Sequence, residues 1–343
     1  AEDYRDTIMI GTMDNWDKCD CPNCKASDLK YTYTGTYMRF VNALAADMYD
    51  WETQNGVHHY TYVAFAYRKT QSAPTNYNNG KPSPVDPSVV AHDNVAVRFA
   101  PLDADFNHVL TDPVYNSDTK TAIESWTVVA KKLKVWNYML NYNEELVWFN
   151  DNHTQKTNYE IYKQMGVTEI LDQGQWDNLL PGFVAVRSYV KAQLMWDLSI
   201  DPIEKAREFI SFYYGAAAEE IQELYDIVDL RYRMIDEYFK STGWKGQHAL
   251  VTRCYTHLET EFMSETYWPY EFLLQCQSLT NRALEKVEGD PVLTERVALE
   301  SITADYLLLS IHSGKFSQND YSALIDKFEA NCRNCSVESY AEN

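Results

Sequence analysis

Two stretches of the chain, HYTYVAFAY at residues 59–67 and NVAVRFA at residues 94–100, decide the predicted fold. Both are short, rich in aromatic or β-branched residues and bounded by polar residues, which is typical of buried strands. Similar apolar runs occur at residues 7–13, 134–140 and 168–171, and segments with helical spacing occur at residues 37–51, 123–133, 158–165 and 183–196. Short strands that alternate with helices predict an α/β fold with a mainly parallel sheet.

The predicted strands are too few for a closed barrel, which needs eight strands and about 250 residues. Because each strand ends in polar or aromatic residues, we predict the C-terminal part of a TIM-type (β/α) barrel that starts near its fourth strand. Either an upstream segment supplies the first three strands, or the sheet is open. Residue 1 is Ala rather than Met, so we expect a processed or truncated chain.

The second half of the sequence has a different pattern. From about residue 203 it is almost entirely helical, with apolar residues at three- and four-residue spacing in the segments 203–214, 217–240, 268–287 and 291–310. We therefore predict two domains, a barrel portion at residues 1–200 and a helical domain at residues 201–343. The Pro- and Asn-containing residues 71–93 are predicted to form a long loop.

The composition is that of a globular protein with an acidic surface. There are 50 acidic and 30 basic residues, which gives a net charge of -20. Such a surface repels phosphate backbones, so we expect no nucleic-acid partner. No run approaches the roughly 18 apolar residues of a membrane span, so none is predicted. The sequence contains no zincin, serine-elbow or P-loop motif, which argues against those classes of enzyme. No cofactor is predicted. The oligomeric state stays open.

Polar and aromatic side chains follow each predicted strand. If the strands are parallel, these side chains meet at one rim, where carboxylates suit acid and base catalysis on a glycosidic oxygen and aromatic faces stack on sugar rings. The other interpretation is that Asp and Asn after strands are turn residues and helix N-caps. The rim candidates are Asp14, Asn15, Tyr67, Arg98, Asp103, Asp105, Asn137, Tyr138, Asp172, Gln173 and Trp176.

Three cysteines, Cys19, Cys21 and Cys24, lie within six residues. A C-x2-C pair chelates zinc, so the cluster is a candidate metal site that Cys332 and Cys335 would complete to four ligands. The other interpretation is a disulfide that braces the loop after the first strand, or free thiols. Because the two groups are far apart in the chain, unlike the ligands of ordinary zinc modules, we favour disulfide or free thiols and predict no metal.

Several segments together resemble a bacterial glycoside hydrolase family that was long described as a domain of unknown function, DUF4838, and is now called glycoside hydrolase family 163. Met13-Asp14-Asn15, the three cysteines and Lys25-Ala26 resemble the loop after its fourth barrel strand. The motifs of the fifth to eighth strands resemble residues 64–67, 94–98, 136–138 and 166–174, and those of the downstream helices resemble residues 188–196 and 212–217. The resemblance covers roughly residues 5–230.

This resemblance implies a barrel with a helical extension and an endo-β-N-acetylglucosaminidase that cleaves the core of complex N-glycans. It also implies a secreted, periplasmic or cell-surface location in a bacterium. Two motifs depart from the family: its usual Trp-Asp-Tyr reads Trp136-Asn137-Tyr138 here, and its usual Glu-Gln-Gly reads Asp172-Gln173-Gly174. Asn137 cannot exchange a proton, and Asp172 is one methylene shorter than Glu.

We therefore predict a glycoside hydrolase that acts on a β-linked N-acetylhexosamine within a glycan. One rival is a non-catalytic glycan-binding protein on the same scaffold, and a second is an exo-acting α-glucuronidase, for which Arg98 would bind the uronate. The predicted roles are catalytic carboxylates for Asp14 and Asp172, polar substrate contacts for Asn15, Arg98, Asn137 and Gln173, and stacking for Tyr67, Trp136, Tyr138 and Trp176.

Overall fold

The computed structural model describes residues 6–174, 180–241 and 262–341. They form two compact units, each assembled from separate stretches of the chain. The described residues of Ala1–Ala104, Leu110–Tyr138 and Glu160–Gln173 make up unit 1, and those of Asp105–Val109, Met139–Tyr159 and Gly174–Asn343 make up unit 2. The boundary predicted after residue 200 stays a prediction.

Unit 1 is built on a parallel sheet. Its strands are β1 (Thr7–Ile10), β2 (Thr61–Ala66), β3 (Thr75–Asn78), β4 (Lys81–Pro84), β5 (Val95–Phe99), β6 (Leu133–Tyr138) and β7 (Val167–Gln173). Its helices are α1 (Pro22–Tyr31), α2 (Tyr33–Asn55) and α3 (Ser117–Val129), and α4 (Gln155–Gln164) leads from unit 2 into unit 1. Five strands pair in the order β1-β2-β5-β6-β7, and every neighbouring pair is parallel. The predicted α/β class with a parallel sheet is confirmed.

Burial differs between the centre and the edges of this sheet. Val63 and Ala96 on the central strands are inaccessible to solvent, as is usual when both faces of a parallel sheet are covered. Met9 on β1 is 43% exposed and Leu171 on β7 is 41% exposed. Among the described residues these two strands form the edges of the sheet.

Helix α2 is held in unit 1 by apolar packing and by hydrogen bonds of two buried polar side chains, Glu52 and Asn42. It buries Met38 and Val41. The Tyr62 hydroxyl of β2 donates to the buried Glu52 carboxylate at 2.7 Å, and the Asn42 side-chain amide donates to the Val90 carbonyl at 2.8 Å. Buried polar groups need hydrogen-bond partners. These two contacts therefore fix the position of α2 relative to β2 and to the segment that precedes β5.

The prediction of a loop at residues 71–93 was wrong in part. Strands β3 and β4 form an antiparallel hairpin within it. Asn79 and Gly80 connect them with positive φ angles of 52° and 75°, which is the backbone of a two-residue hairpin turn. The Asn-Gly pair was the signal for this hairpin, and the surrounding prolines argued against strands.

Unit 2 is helical in the C-terminal part of the chain, as predicted. The helices of this region are α5 (Val184–Trp196), α6 (Pro202–Tyr214), α7 (Ala218–Ser241), α8 (Tyr270–Lys286), α9 (Pro291–Ile311) and α10 (Gln318–Asn334). Helix α9 carries much of the core of this unit, with Ile302 and Leu307 inaccessible to solvent. No helix within the described ranges has both the length and the apolar content of a membrane span.

Two helices were not predicted as individual elements. Helix α1 buries no residue, and helix α10 buries only Leu324.

A buried histidine in unit 2 lies between two carboxylates. His108 Nδ1 is 3.0 Å from Asp105 Oδ2, and its Nε2 is 2.9 Å from Asp236 Oδ1 on α7. Burial by itself lowers the pKa of His108, but the hydrogen bonds and charges of the two aspartates outweigh burial and raise the pKa to about 9. The prediction that Asp105 belongs to the strand-end rim does not hold, because its carboxylate is fully buried and binds His108.

This contact predicts a pH-dependent stability. The pKa of His108 is about 9 in the folded protein and about 6.5 in an unfolded chain. The stabilisation is therefore complete below about pH 6.5 and is lost as the pH rises through about 9. We expect the free energy of unfolding, measured with urea at a series of pH values, to fall over this range in the wild type and less steeply in His108→Gln. The exposed His92 provides the control His92→Gln, which keeps the wild-type slope; equal slopes in all three proteins would contradict the assignment.

Candidate functional site

The loop at residues 11–21 after β1, here called the β1 loop, carries two rim candidates. Asp14 Oδ1 lies 2.8 Å from Arg68 Nε, so its carboxylate is ion-paired. The Asn15 side-chain oxygen accepts from Lys69 Nζ at 3.3 Å, and Lys69 also donates to the Asp17 carbonyl at 2.7 Å. Arg68 and Lys69, which follow shortly after the end of β2, therefore hold the first half of the β1 loop in place.

The segment after β2 presents these cations through an unusual backbone. Arg68 has a φ of 47°, in the left-handed region that non-glycine residues rarely adopt. Its Nε also donates to the Tyr67 hydroxyl at 3.0 Å. Burial raises the pKa of Tyr67. Thr70 fixes the turn, since its hydroxyl donates to the Phe65 carbonyl at 2.7 Å.

A chain of side-chain contacts continues from Tyr67 across one face of the sheet. Tyr67 packs against Phe65 with ring centroids 5.5 Å apart, and Phe65 packs edge-on against Trp136 of β6 at 5.5 Å. The Trp136 indole donates to the Gln173 side-chain oxygen on β7 at 2.6 Å. We call this side the aromatic face; it brings together the predicted residues Tyr67, Trp136 and Gln173.

The opposite side of the sheet, here called the helix face, carries the other two predicted strand-end groups. Side chains alternate along a strand, so Asn137 and Asp172, which are paired in the β6–β7 register, point away from Trp136 and Gln173. Asn137 Nδ2 donates to Asp172 Oδ1 at 2.5 Å, and Asn137 Oδ1 accepts from the Tyr162 hydroxyl of α4 at 3.0 Å. The buried Asn137 therefore joins β7 to α4.

Three charges lie side by side on the aromatic face. Glu169 of β7 accepts from the Arg98 guanidinium of β5 and from Lys134 Nζ of β6, the latter at 2.6 Å. Arg98 and Lys134 are mostly buried, and the Glu169 side chain is 39% exposed. Arg98, predicted to bind substrate, is thus neutralised within the sheet.

The remaining predicted residues have different surroundings. Tyr138 is buried, Asp103 is exposed, and Trp176 lies outside the described residues. Sequence analysis missed Trp16, which is 65% exposed next to Asp14 and Asn15. It also missed Arg68, Lys69 and Glu169; for the first two, the signal was their position directly after Tyr67 at the strand end.

The three cysteines of the β1 loop and α1 converge. The sulfurs of Cys19, Cys21 and Cys24 all lie within 4.8 Å of one another, and all three are free thiols, so the disulfide is not formed. The Cys24 backbone N–H lowers the pKa of Cys21, and hydrogen bonds to Cys19 and Cys21 raise the pKa of Cys24 to about 12. Cys332 and Cys335, the other two candidate ligands, do not join this group within the described part of the chain. The buried Cys335 instead donates to the Glu295 carbonyl at 3.6 Å.

Together these features define an α/β protein with polar and aromatic side chains at the carboxyl ends of parallel strands. A profile of the family described as Domain of unknown function (DUF4838) matches residues 2–226, which is more than half of the chain. The chain belongs to this family, as its motifs predicted. No curated protein and no solved structure matches the chain.

The paired charges on the aromatic face lead to a stability prediction. Glu169→Gln removes the counter-charge of two mostly buried cations. We expect it to lower the free energy of unfolding by about 2 kcal/mol, less than the roughly 3–5 kcal/mol of a fully buried pair because Glu169 is partly exposed. Glu124→Gln, which removes an exposed i,i+4 pair with Lys120 on α3, should cost less than about 0.5 kcal/mol. Equal losses in urea unfolding would show that the cluster contributes no more than a surface pair.

Proposed function

We propose that this chain is a glycoside hydrolase that cleaves a β-linked N-acetylglucosamine within complex glycans such as N-glycans, the activity implied by the resemblance to glycoside hydrolase family 163. The proposal depends on one observation, the continuous set of contacts from Asp14 through Arg68, Tyr67 and Phe65 to Trp136. A carboxylate, aromatic rings and the Gln173 amide at one sheet edge are the groups that contact a sugar and its glycosidic oxygen.

The proposed fold is a TIM-type (β/α) barrel of which the five parallel strands are consecutive members. Two observations support it. The strands pair in chain order, whereas doubly wound sheets reverse their order at a switch point. The outer strands also expose apolar residues such as Met9 and Leu171, and further strands would cover them by pairing along β1 and β7.

In this proposal the two predicted carboxylates differ in role. Asp14 Oδ1 is held 2.8 Å from Arg68 Nε just after the end of β2. A carboxylate fixed in this way suits orientation of an acetamido group and stabilisation of positive charge at the transition state. Asp172 accepts from Asn137 on the helix face, so its proposed contribution is to hold Asn137 and the β7 end in place.

A second candidate function is glycan binding without hydrolysis on the same scaffold. It is favoured by the pairing of both carboxylates with other side chains and by Asn137 in place of the family's aspartate. An α-glucuronidase is less well supported, because Arg98 is paired with Glu169. The proposed partner is in each case a carbohydrate, and the proposed location is secreted, periplasmic or at the cell surface.

The test is release of glycans from a glycoprotein with complex N-glycans, read by mass spectrometry. We expect free glycans that end in one N-acetylglucosamine from the wild type. Asp14→Asn should lower kcat/KM at least about 100-fold, because it removes a charge at the reacting centre. Asp93→Asn changes an exposed aspartate paired with Lys131 in the same unit and should keep wild-type activity.

Two other outcomes would change the proposal. If the wild type releases nothing but the same glycoprotein raises its Tm by an amount that Trp136→Ala abolishes, the chain binds glycans without cleaving them. If Asp14→Asn releases glycans at the wild-type rate, Asp14 is not the catalytic carboxylate.

A further inference from the structure

We infer that Cys19, Cys21 and Cys24 form a binding site for a thiophilic divalent cation, with zinc as the ion that fits best. Their three sulfurs lie within 4.8 Å of one another on the surface of unit 1. Zn–S bonds of about 2.3 Å in a tetrahedral site separate the sulfurs by about 3.8 Å. Small rotations of these accessible side chains are enough to reach that spacing.

The backbone prepares two of the three ligands. Cys21 is the N-cap of α1, and Pro22 begins the helix. The first turn brings Cys24 back beside Cys21, and the Cys24 N–H donates to the Cys21 sulfur at 3.4 Å. The start of α1 therefore places two of the three sulfurs side by side, and a metal ion that binds them would displace the thiol protons.

The number of thiols favours a metal over a disulfide. A disulfide between Cys21 and Cys24 would leave Cys19 unpaired within reach of both, whereas a zinc ion takes all three. Soft thiolate ligands select zinc over hard cations such as magnesium or calcium. No fourth His, Cys, Asp or Glu joins the group among the described residues. The fourth position is therefore left to water or to an external ligand.

A bound ion would have a defined effect on the β1 loop. Arg68 and Lys69 hold the first half of this loop, through Asp14 and Asn15. The cysteines lie in its second half and in α1, so the ion would tie that half to the start of the helix. This metal site does not depend on the proposed glycosidase activity. It is tested by measuring metal binding, so the result stays distinct from any loss of hydrolysis.

The experiment is cobalt and zinc titration of the full chain after reduction and removal of metal. We expect one equivalent of Co²⁺ to give a thiolate-to-cobalt charge-transfer band, which one equivalent of Zn²⁺ then removes. Cys19→Ser, Cys21→Ser and Cys24→Ser should each weaken zinc binding more than about 100-fold, since even the loss of an outer-shell contact costs 10–100-fold. Cys332→Ser, from the other C-x2-C pair, is the control and should bind as the wild type does.

A second measurement needs no variant. Zinc should slow the reaction of iodoacetamide with Cys19, Cys21 and Cys24 of the wild type, read by peptide mass spectrometry, and leave the rate at the half-buried Cys332 unchanged. The inference is overturned if zinc protects none of the three thiols, or if it protects Cys332 to the same extent. It is also overturned if no charge-transfer band forms in the fully reduced protein.

Discussion

The register of the parallel sheet is the constraint on which the candidate site depends. The pairing of β1, β2, β5, β6 and β7 in chain order brings their carboxyl ends to one edge. Alternation along each strand then decides which of the two faces a side chain occupies. A shift of one residue in β6 would exchange Trp136 with Asn137 and would replace an indole beside Gln173 with an amide.

The same register explains how charges are accommodated within the sheet. Arg98 and Lys134 are neighbours in the β5–β6 register, and Lys134 and Glu169 are neighbours in the β6–β7 register. Burial of the two cations is costly unless each has a counter-charge, and Glu169 serves both. The cluster therefore opposes slippage of three strands at once, because any slip would leave a buried cation unpaired.

Much of this fold is predictable from sequence, because continuous apolar runs such as residues 94–100 identify buried strands. The site is predictable in part: Tyr67, Trp136 and Gln173 are strand-end residues that lie together. Asp172 and Asn137 are strand-end residues too, but only the register reveals that they face α4. Contacts between distant segments, such as Asp14 with Arg68, leave no periodic signal, and α1 escaped prediction because it has no buried face.

The backbone of Arg68 singles out one end of the candidate site. A left-handed conformation costs a non-glycine residue about 1 kcal/mol or more, and it persists where surrounding contacts over-determine it. Here those contacts are Asp14, the Tyr67 hydroxyl and the Thr70 turn. Such strain concentrates where function needs a fixed geometry. It lies at the contact between the end of β2 and the β1 loop, so the Arg68 backbone sets the direction from which its guanidinium reaches the Asp14 carboxylate.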